Sequence, residues 1–199
     1  MENRTVYLIR HGKISQEDDQ RRYIGQIDLP LDEDGVWQAQ RLQKRFNCSK
    51  FSAVYCSDLS RSLRTAELIV GEKNILIVPR REFREISLGD WEGCTFADIA
   101  RRFPEEFKAR GADIGYYRVP GGESFADCSR RVVAAFHETL AAVSGDILIV
   151  GHAGVNRLIL CHILGLPISN LFRLSQDYAC INIIQISNSG YRLKLANFR

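Results

Sequence analysis

Apolar and polar positions in this chain alternate between a strand period and a helix period, and glycine- or proline-marked breaks separate the two. Val6-Tyr7-Leu8-Ile9 is a short apolar run that predicts a buried strand, with Arg10-His11-Gly12 arriving where it should end. Lys13 to Gln26 is polar and predicts a loop over the adjoining crevice. Asp32 is a natural cap for a helix from about Glu33 to Phe46, where Val36, Ala39, Leu42 and Phe46 recur at helical spacing. Phe51 to Cys56 predicts a second strand, Ser57-Asp58 the cap of a helix reaching Val70, and Ile75 to Val78 a third strand closed by Pro79.

The second half repeats the alternation with longer elements. Arg80 to Gly93 has no clean period and predicts a loop; Phe96 to Phe107 predicts a helix interrupted at Pro104. Gly111 to Gly122 is irregular, and Pro120-Gly121-Gly122 is a firm breaker. From Glu123 a long helix keeps Phe125, Cys128, Val132, Phe136, Leu140 and Val143 on one face. Ile147 to Val150 is almost wholly apolar, as a central strand is, and Gly151-His152-Ala153-Gly154 turns from it into a helix ending near Leu164. Cys180 to Ile186 and Tyr191 to Leu195, around Asn188-Ser189-Gly190, predict a hairpin. Strands alternating with helices imply an α/β fold, a three-layer α/β/α arrangement with a mostly parallel central sheet. No repeat or linker divides the chain, so one domain over 1–199 is expected.

Composition narrows the function classes. Of 199 residues 45% are hydrophobic and 26% charged, ordinary for a globular protein with a core. A net charge of +3 without a Lys/Arg tract argues against a nucleic-acid partner, and Arg21-Arg22, Arg101-Arg102 and Arg130-Arg131 read as solvated faces. No apolar run approaches membrane-spanning length, and no signal-like segment precedes the first strand. Six scattered cysteines without C-x-x-C pairing read as reduced, packed thiols without chemistry, so a cytoplasmic location is expected.

The candidate chemistry sits at strand ends. Arg10-His11, Ser57 to Arg61, and His152 each follow a predicted strand, and a parallel sheet brings its C-terminal strand ends to one edge. Two arginines and two histidines repel one another unless an anion sits among them, and a phosphoryl group suits them. No G-x-x-x-x-G-K-[ST] loop is present, and the histidines lack H-x-x-x-H spacing, so neither a P-loop nor a metal site is expected.

The ordered set of Arg10-His11-Gly12, Ser57-Asp58-Leu59-Ser60-Arg61 with Thr65-Ala66, Glu85 ahead of Gly89-Asp90-Trp91-Glu92-Gly93, and Gly151-His152 resembles the histidine phosphatase (phosphoglycerate mutase-like) superfamily. Leu31-Asp32-Glu33-Asp34-Gly35 and Pro120-Gly121-Gly122-Glu123-Ser124 support it, and the match runs from residue 5 to about 165. The resemblance implies a phosphoric monoester hydrolase without metal or cofactor. His11 would be the nucleophile and carry a phosphohistidine, kept neutral by Arg10 and Arg61. Arg10, Arg61 and His152 would stabilise the transferring group, and Glu85 would donate and then accept a proton. Gly12, Lys13, Arg22, Gln26 and Ala153 complete the implied substrate-binding set.

Two departures from the family pattern lie next to this set. Lys13 follows the triplet where an acidic or small polar residue is usual, and no asparagine occurs between Lys13 and Gln26. Lys13 either adds positive charge at the mouth or points into water. His137 and His162 read as structural, and Arg64 as outside the pocket. Ile86 to Gly93 resembles the phosphatase branch rather than the mutases, and with the Tyr23-Ile24-Gly25-Gln26 loop is most similar to the α-ribazole-5′-phosphate phosphatase family, of cobalamin nucleotide-loop assembly. The implied partner is a small soluble phosphate monoester, with no nucleic acid or membrane, and a homodimer is left open. The alternatives are a general sugar-phosphate phosphatase, a cofactor-dependent phosphoglycerate mutase and, from another class, a non-catalytic phosphate-binding relative.

Overall fold

A computed structural model describes residues 4–16, 18 and 20–199. Residues 1–3, expected to run straight into the first strand, and 17 and 19, within the expected loop over the crevice, lie outside the described residues. The strands are β1 (Arg4–Arg10), β2 (Ala53–Ser57), β3 (Ile77–Arg80), β4 (Ile147–Gly151), β5 (Ile181–Ser187) and β6 (Gly190–Phe198). They form one sheet in the order β3-β2-β4-β1-β5-β6, parallel from β3 to β1 and antiparallel for the final hairpin.

The period of two in the apolar strands divides the core between the two faces of the sheet. Val6, Leu8, Ile147 and Ile149 meet helices α5 (Phe125–Ala142) and α6 (Ala153–Leu164), through Val132, Phe136, Leu158 and Ile159. Ile9, Leu148 and Val150 point the other way, onto α1 (Glu33–Arg45) and α2 (Ser60–Val70), through Leu42, Ala66 and Ile69. β4 lies between β1 and β2, so the segment leaving β1 heads for one face and the segment leaving β4 for the other. Between those two strand ends the sheet opens a crevice, the usual ligand position in such folds.

Several expected boundaries move, each for a local reason. β3 includes Pro79 rather than ending before it, because β3 is an edge strand and a missing N–H on the free side costs no ladder bond. Ser57 and Asp58 do not cap α2. Ser57 closes β2, Asp58 pairs both carboxylate oxygens with Arg84 at 2.7 Å, and the first turn of α2 is held by Asp28, which accepts from Ser60 N at 2.8 Å and Ser60 Oγ at 2.7 Å. Pro104 does not kink one helix but starts a second, dividing α3 (Phe96–Arg102) from α4 (Pro104–Ala112), with proline at the first position that tolerates it. Asp32 does cap α1, accepting from Gly35 N at 2.7 Å, and Ser124 caps α5 in a reciprocal box with Asp127.

Candidate active site

The strand register places the two histidines. Arg10 of β1 pairs with Gly151 of β4, so His11 and His152 leave adjacent strands at the same level. Their ring centroids lie 5.0 Å apart, and both rings are buried. Arg61, on the first turn of α2, joins them with its guanidinium almost fully buried.

Hydrogen bonds assign the tautomer of each ring. His11 Nδ1 lies 2.7 Å from the Gly12 carbonyl, which can only accept, so Nδ1 carries the proton and Nε2 the lone pair. Arg61 Nε donates to His152 Nδ1 at 3.3 Å, which places the His152 proton on Nε2, an atom with no hydrogen-bond partner among the described residues. Burial, then the charges of Arg10 and Arg61, hold the His11 pKa well below the usual histidine value; burial and Arg61 do the same for His152. The sequence anticipates the arginine effect, but desolvation is the larger cause.

Both imidazoles therefore bind a proton less tightly in the folded chain than in the unfolded one. As pH falls below about 6.5 the unfolded chain takes up protons first. The stability contributed by the two neutral rings is complete above that pH and lost as pH drops from there toward their folded-state pKa values. Urea midpoints measured between pH 7.5 and 5 should decline on acidification, and decline less in His152→Asn; equal slopes would contradict this assignment.

Glu85 reaches the site from the segment after β3. Its carboxylate accepts from Gly154 N at 2.9 Å and Val155 N at 3.2 Å, at the N-terminus of α6, and from Ile86 N at 3.0 Å. A Cβ on Gly154 would stand 2.4 Å from Glu85 Oε1, so a glycine is needed for this approach. Glu82, three residues earlier, is paired with Arg80 at 3.0 Å and takes no part in this contact. Arg131 fixes the Glu85 segment, donating to the carbonyls of Glu82, Arg84 and Glu85 and to the Glu123 carboxylate. The expectation of a solvated Arg131 is therefore wrong; Arg130, exposed and paired with Asp127, fits it.

Arg10 donates from Nη1 to the Gln176 carbonyl at 2.7 Å and stacks on Tyr178, 3.7 Å from its Cζ to the ring centroid. Behind Gln176 lies a buried amide network. Its Nε2 donates to Asn182 Oδ1 at 2.9 Å, its Oε1 accepts from Asn182 at 3.0 Å and Asn156 at 3.2 Å, and Asn182 also donates to the Leu8 carbonyl of β1 at 3.0 Å. Sequence reasoning misses this network and Tyr178, since neither sits in a motif. Three amides clustered near apolar strands are their one trace in the sequence.

The remaining expected binding residues separate. Arg22 and Ala153 line the cavity beside His11, and Arg22 also pairs with Asp18 at 2.6 Å. Gln26 does not line it; its Nε2 donates to the Glu85 carbonyl at 3.0 Å, making it a support. Gly12 is required for close packing: a Cβ there would lie 2.5 Å from the Gly35 carbonyl oxygen at the start of α1. Lys13 turns away from the cavity, with Nζ 2.6 Å from Asp34 and 3.2 Å from Asp32, which raise its pKa. Its charge is neutralised at the surface, so Lys13→Ala should change KM less than about twofold at low or high salt. A salt-dependent rise in KM would restore it to the site.

Other expectations concern residues kept out of the chemistry. Arg64 pairs with Glu67 at 3.0 Å on the surface. His137 and His162 bond to each other through Nε2 at 2.9 Å, outside the cavity. Burial pushes the Cys56 thiol up to about 12, an inert value. Among the described residues no helix is long and apolar enough to cross a membrane, and no three His, Cys, Asp or Glu side chains gather as a metal site.

The cavity in front of His11 has a volume of about 730 Å³. Cationic groups floor it, and the rings of Phe107, Phe125, Phe172 and Tyr178 wall it. An anion on the floor with an organic group between the rings is the ligand such a site accommodates.

Comparison with known proteins agrees with that geometry. Residues 6–199 match the family described as Histidine phosphatase superfamily (branch 1). The chain is 30% identical to the adenosylcobalamin/α-ribazole phosphatase of Escherichia coli K12 over 98% of this chain and 96% of the relative. It is 27% identical to phosphoserine phosphatase 1 of Hydrogenobacter thermophilus over 91% of this chain and 86% of the relative. The crystal structure of the α-ribazole phosphatase from Shigella flexneri superposes with a TM-score of 0.88, at 30% identity over 97% and 96% of the two chains.

Proposed function

This chain belongs to the histidine phosphatase superfamily and is a phosphatase, and on that premise we propose that it hydrolyses α-ribazole 5′-phosphate through a phosphohistidine on His11. The observation that carries the mechanism is the anchoring of His11 Nδ1 on the Gly12 carbonyl, which leaves Nε2 as the one nucleophilic atom between Arg10, Arg61 and His152.

In the first step Nε2 of His11 forms a bond to phosphorus as the ester P–O bond breaks. Glu85 delivers a proton to the departing alkoxide oxygen. The Nε2–H of His152 and the guanidinium of Arg10 meet the equatorial oxygens, while Arg61 supplies charge and fixes the His152 tautomer. In the second step water attacks phosphorus, Glu85 takes its proton, and the P–N bond breaks to give inorganic phosphate and free His11.

The α-ribazole assignment is supported by the relatives' activity and by the aromatic walls, which suit the flat base of a benzimidazole riboside. A screen of phosphate monoesters in the presence of a chelator tests it. The highest kcat/KM is expected for α-ribazole 5′-phosphate, with inorganic phosphate as the product. A glucose 6-phosphate value as high would instead make this a general sugar-phosphate phosphatase, and conversion of 3-phosphoglycerate to its isomer would make it a mutase.

A further inference from the structure

Partly buried arginines in this molecule answer to an acceptor, with one exception. Arg22 meets Asp18, Arg84 meets Asp58, Arg131 meets Glu123, and Arg10 and Arg61 meet backbone carbonyls. Arg110, on α4, lines the cavity and has no hydrogen-bond or ion-pair partner among the described residues. Its Cζ lies 5.5 Å from the Tyr23 ring centroid, 5.8 Å from Phe125 and 6.0 Å from Trp91. These distances are at the outer limit of useful cation–π attraction, and a partly desolvated guanidinium without an acceptor is costly.

Its position is on the leaving-group side. Phe125 is the ring next to Glu85, because its Cε1 stands 3.2 Å from where a Gly154 Cβ would be, and Gly154 N holds the Glu85 carboxylate. Arg110 lies on Phe125, one ring beyond the proton donor. Arg157 of α6 flanks the same aromatic pair from Phe172, with Cζ 5.2 Å from that ring, and Phe125 and Phe172 meet edge to face at 5.7 Å. Arg157 donates Nε to the Leu174 carbonyl at 2.7 Å, its terminal nitrogens have no acceptor among the described residues, and it lines the same cavity. The neighbours of the Arg110 guanidinium are the rings of Tyr23, Phe125 and Trp91 rather than the groups around His11. Since Arg110 lines the same cavity as His11, a second, singly charged anion carried on the leaving alcohol is the acceptor it lacks, and a single charge suits a site where desolvation penalises a dianion more.

We propose that Arg110, assisted by Arg157, forms a carboxylate subsite at the leaving-group end of the cavity, so that the enzyme also acts on phosphate monoesters whose alcohol carries a carboxylate one ring's width or more from the ester oxygen. The proposal rests on the reading that the leaving alcohol lies on the Glu85 side of His11.

Two esters of equal length, 6-phosphogluconate and sorbitol 6-phosphate, differ at the distal carbon by a carboxylate against a hydroxymethyl group. Their binding is measured by calorimetry on His11→Ala protein, which does not turn them over. The carboxylated ester is expected to bind about tenfold tighter, as a charge-assisted hydrogen bond affords. Arg110→Met, which keeps the apolar stem against the rings, should bring the two affinities within about twofold; Arg110→Lys should keep most of the difference. Equal affinities in the Arg110 protein, a comparison that needs no change at that position, would overturn the proposal, as would a preference that survives Arg110→Met. Turnover of α-ribazole 5′-phosphate and p-nitrophenyl phosphate by the unaltered enzyme is followed separately, so loss of the phosphatase reading is distinguished from loss of the subsite.

Discussion

His11→Ala is expected to lower turnover of every phosphate ester by roughly 10⁴-fold or more while the protein still unfolds cooperatively. The imidazole is the one nucleophile at the floor of the cavity, and its neutral state is secured by burial before the neighbouring arginines add to it. Its partners outside the reaction are few: a Gly12 carbonyl on Nδ1 and ring contacts with His152 and Tyr178. Removing the ring leaves the β1–β4 register and the Gly12–Gly35 contact in place, so the loss falls on chemistry. Rapid quenching with a ³²P-labelled ester should give an acid-labile label on native protein and none on the variant. A variant that still acquires label would place the nucleophile elsewhere.

Glu85→Gln is expected to cost about 10²- to 10³-fold in kcat on alkyl phosphates and far less on p-nitrophenyl phosphate, whose leaving group departs without a proton. The same substitution has a second effect that activity does not report. The carboxylate accepts three backbone N–H groups, two of them at the start of α6, and an amide can present only one oxygen to them. The variant should therefore lose about 1 kcal/mol of stability, read from denaturant unfolding, as when a helix loses its cap. Equal losses on both ester classes would remove Glu85 from proton transfer, and unchanged stability would remove it from the helix end.

That dual role illustrates what a sequence discloses and what it conceals. The strand cores, the Asp32 cap and the convergence of Arg10, His11, Arg61 and His152 follow from local pattern plus one rule about parallel sheets. Each depends on residues within a turn or a strand of one another, or on the shared edge. The Asp28 cap of α2, the grip of Arg131 on the Glu85 segment and the Gln176–Asn182–Asn156 amides depend on pairs separated by long stretches of chain, which no window captures. Lys13 shows the same limit. A cation beside the nucleophile in sequence can add charge at the mouth or point into water, and only the fold brings Asp32 and Asp34, some twenty residues on, close enough to claim it. Pro79 looks like a stop in sequence because edge and interior strands are alike until their neighbours are known.

The hold of Gln176 on Arg10 has a bearing on when the enzyme comes alive. Arg10 is synthesised well before the groups that steady it, Gln176, Tyr178 and the β5 amide of Asn182, which lie more than 160 residues further along the chain. A nascent chain can complete β1, β4 and both histidine-bearing turns and still lack a fixed guanidinium at the floor. Activity must therefore appear only once the C-terminal hairpin docks beside β1. A truncation ending at residue 170 should be inert even where it retains every residue that touches phosphate.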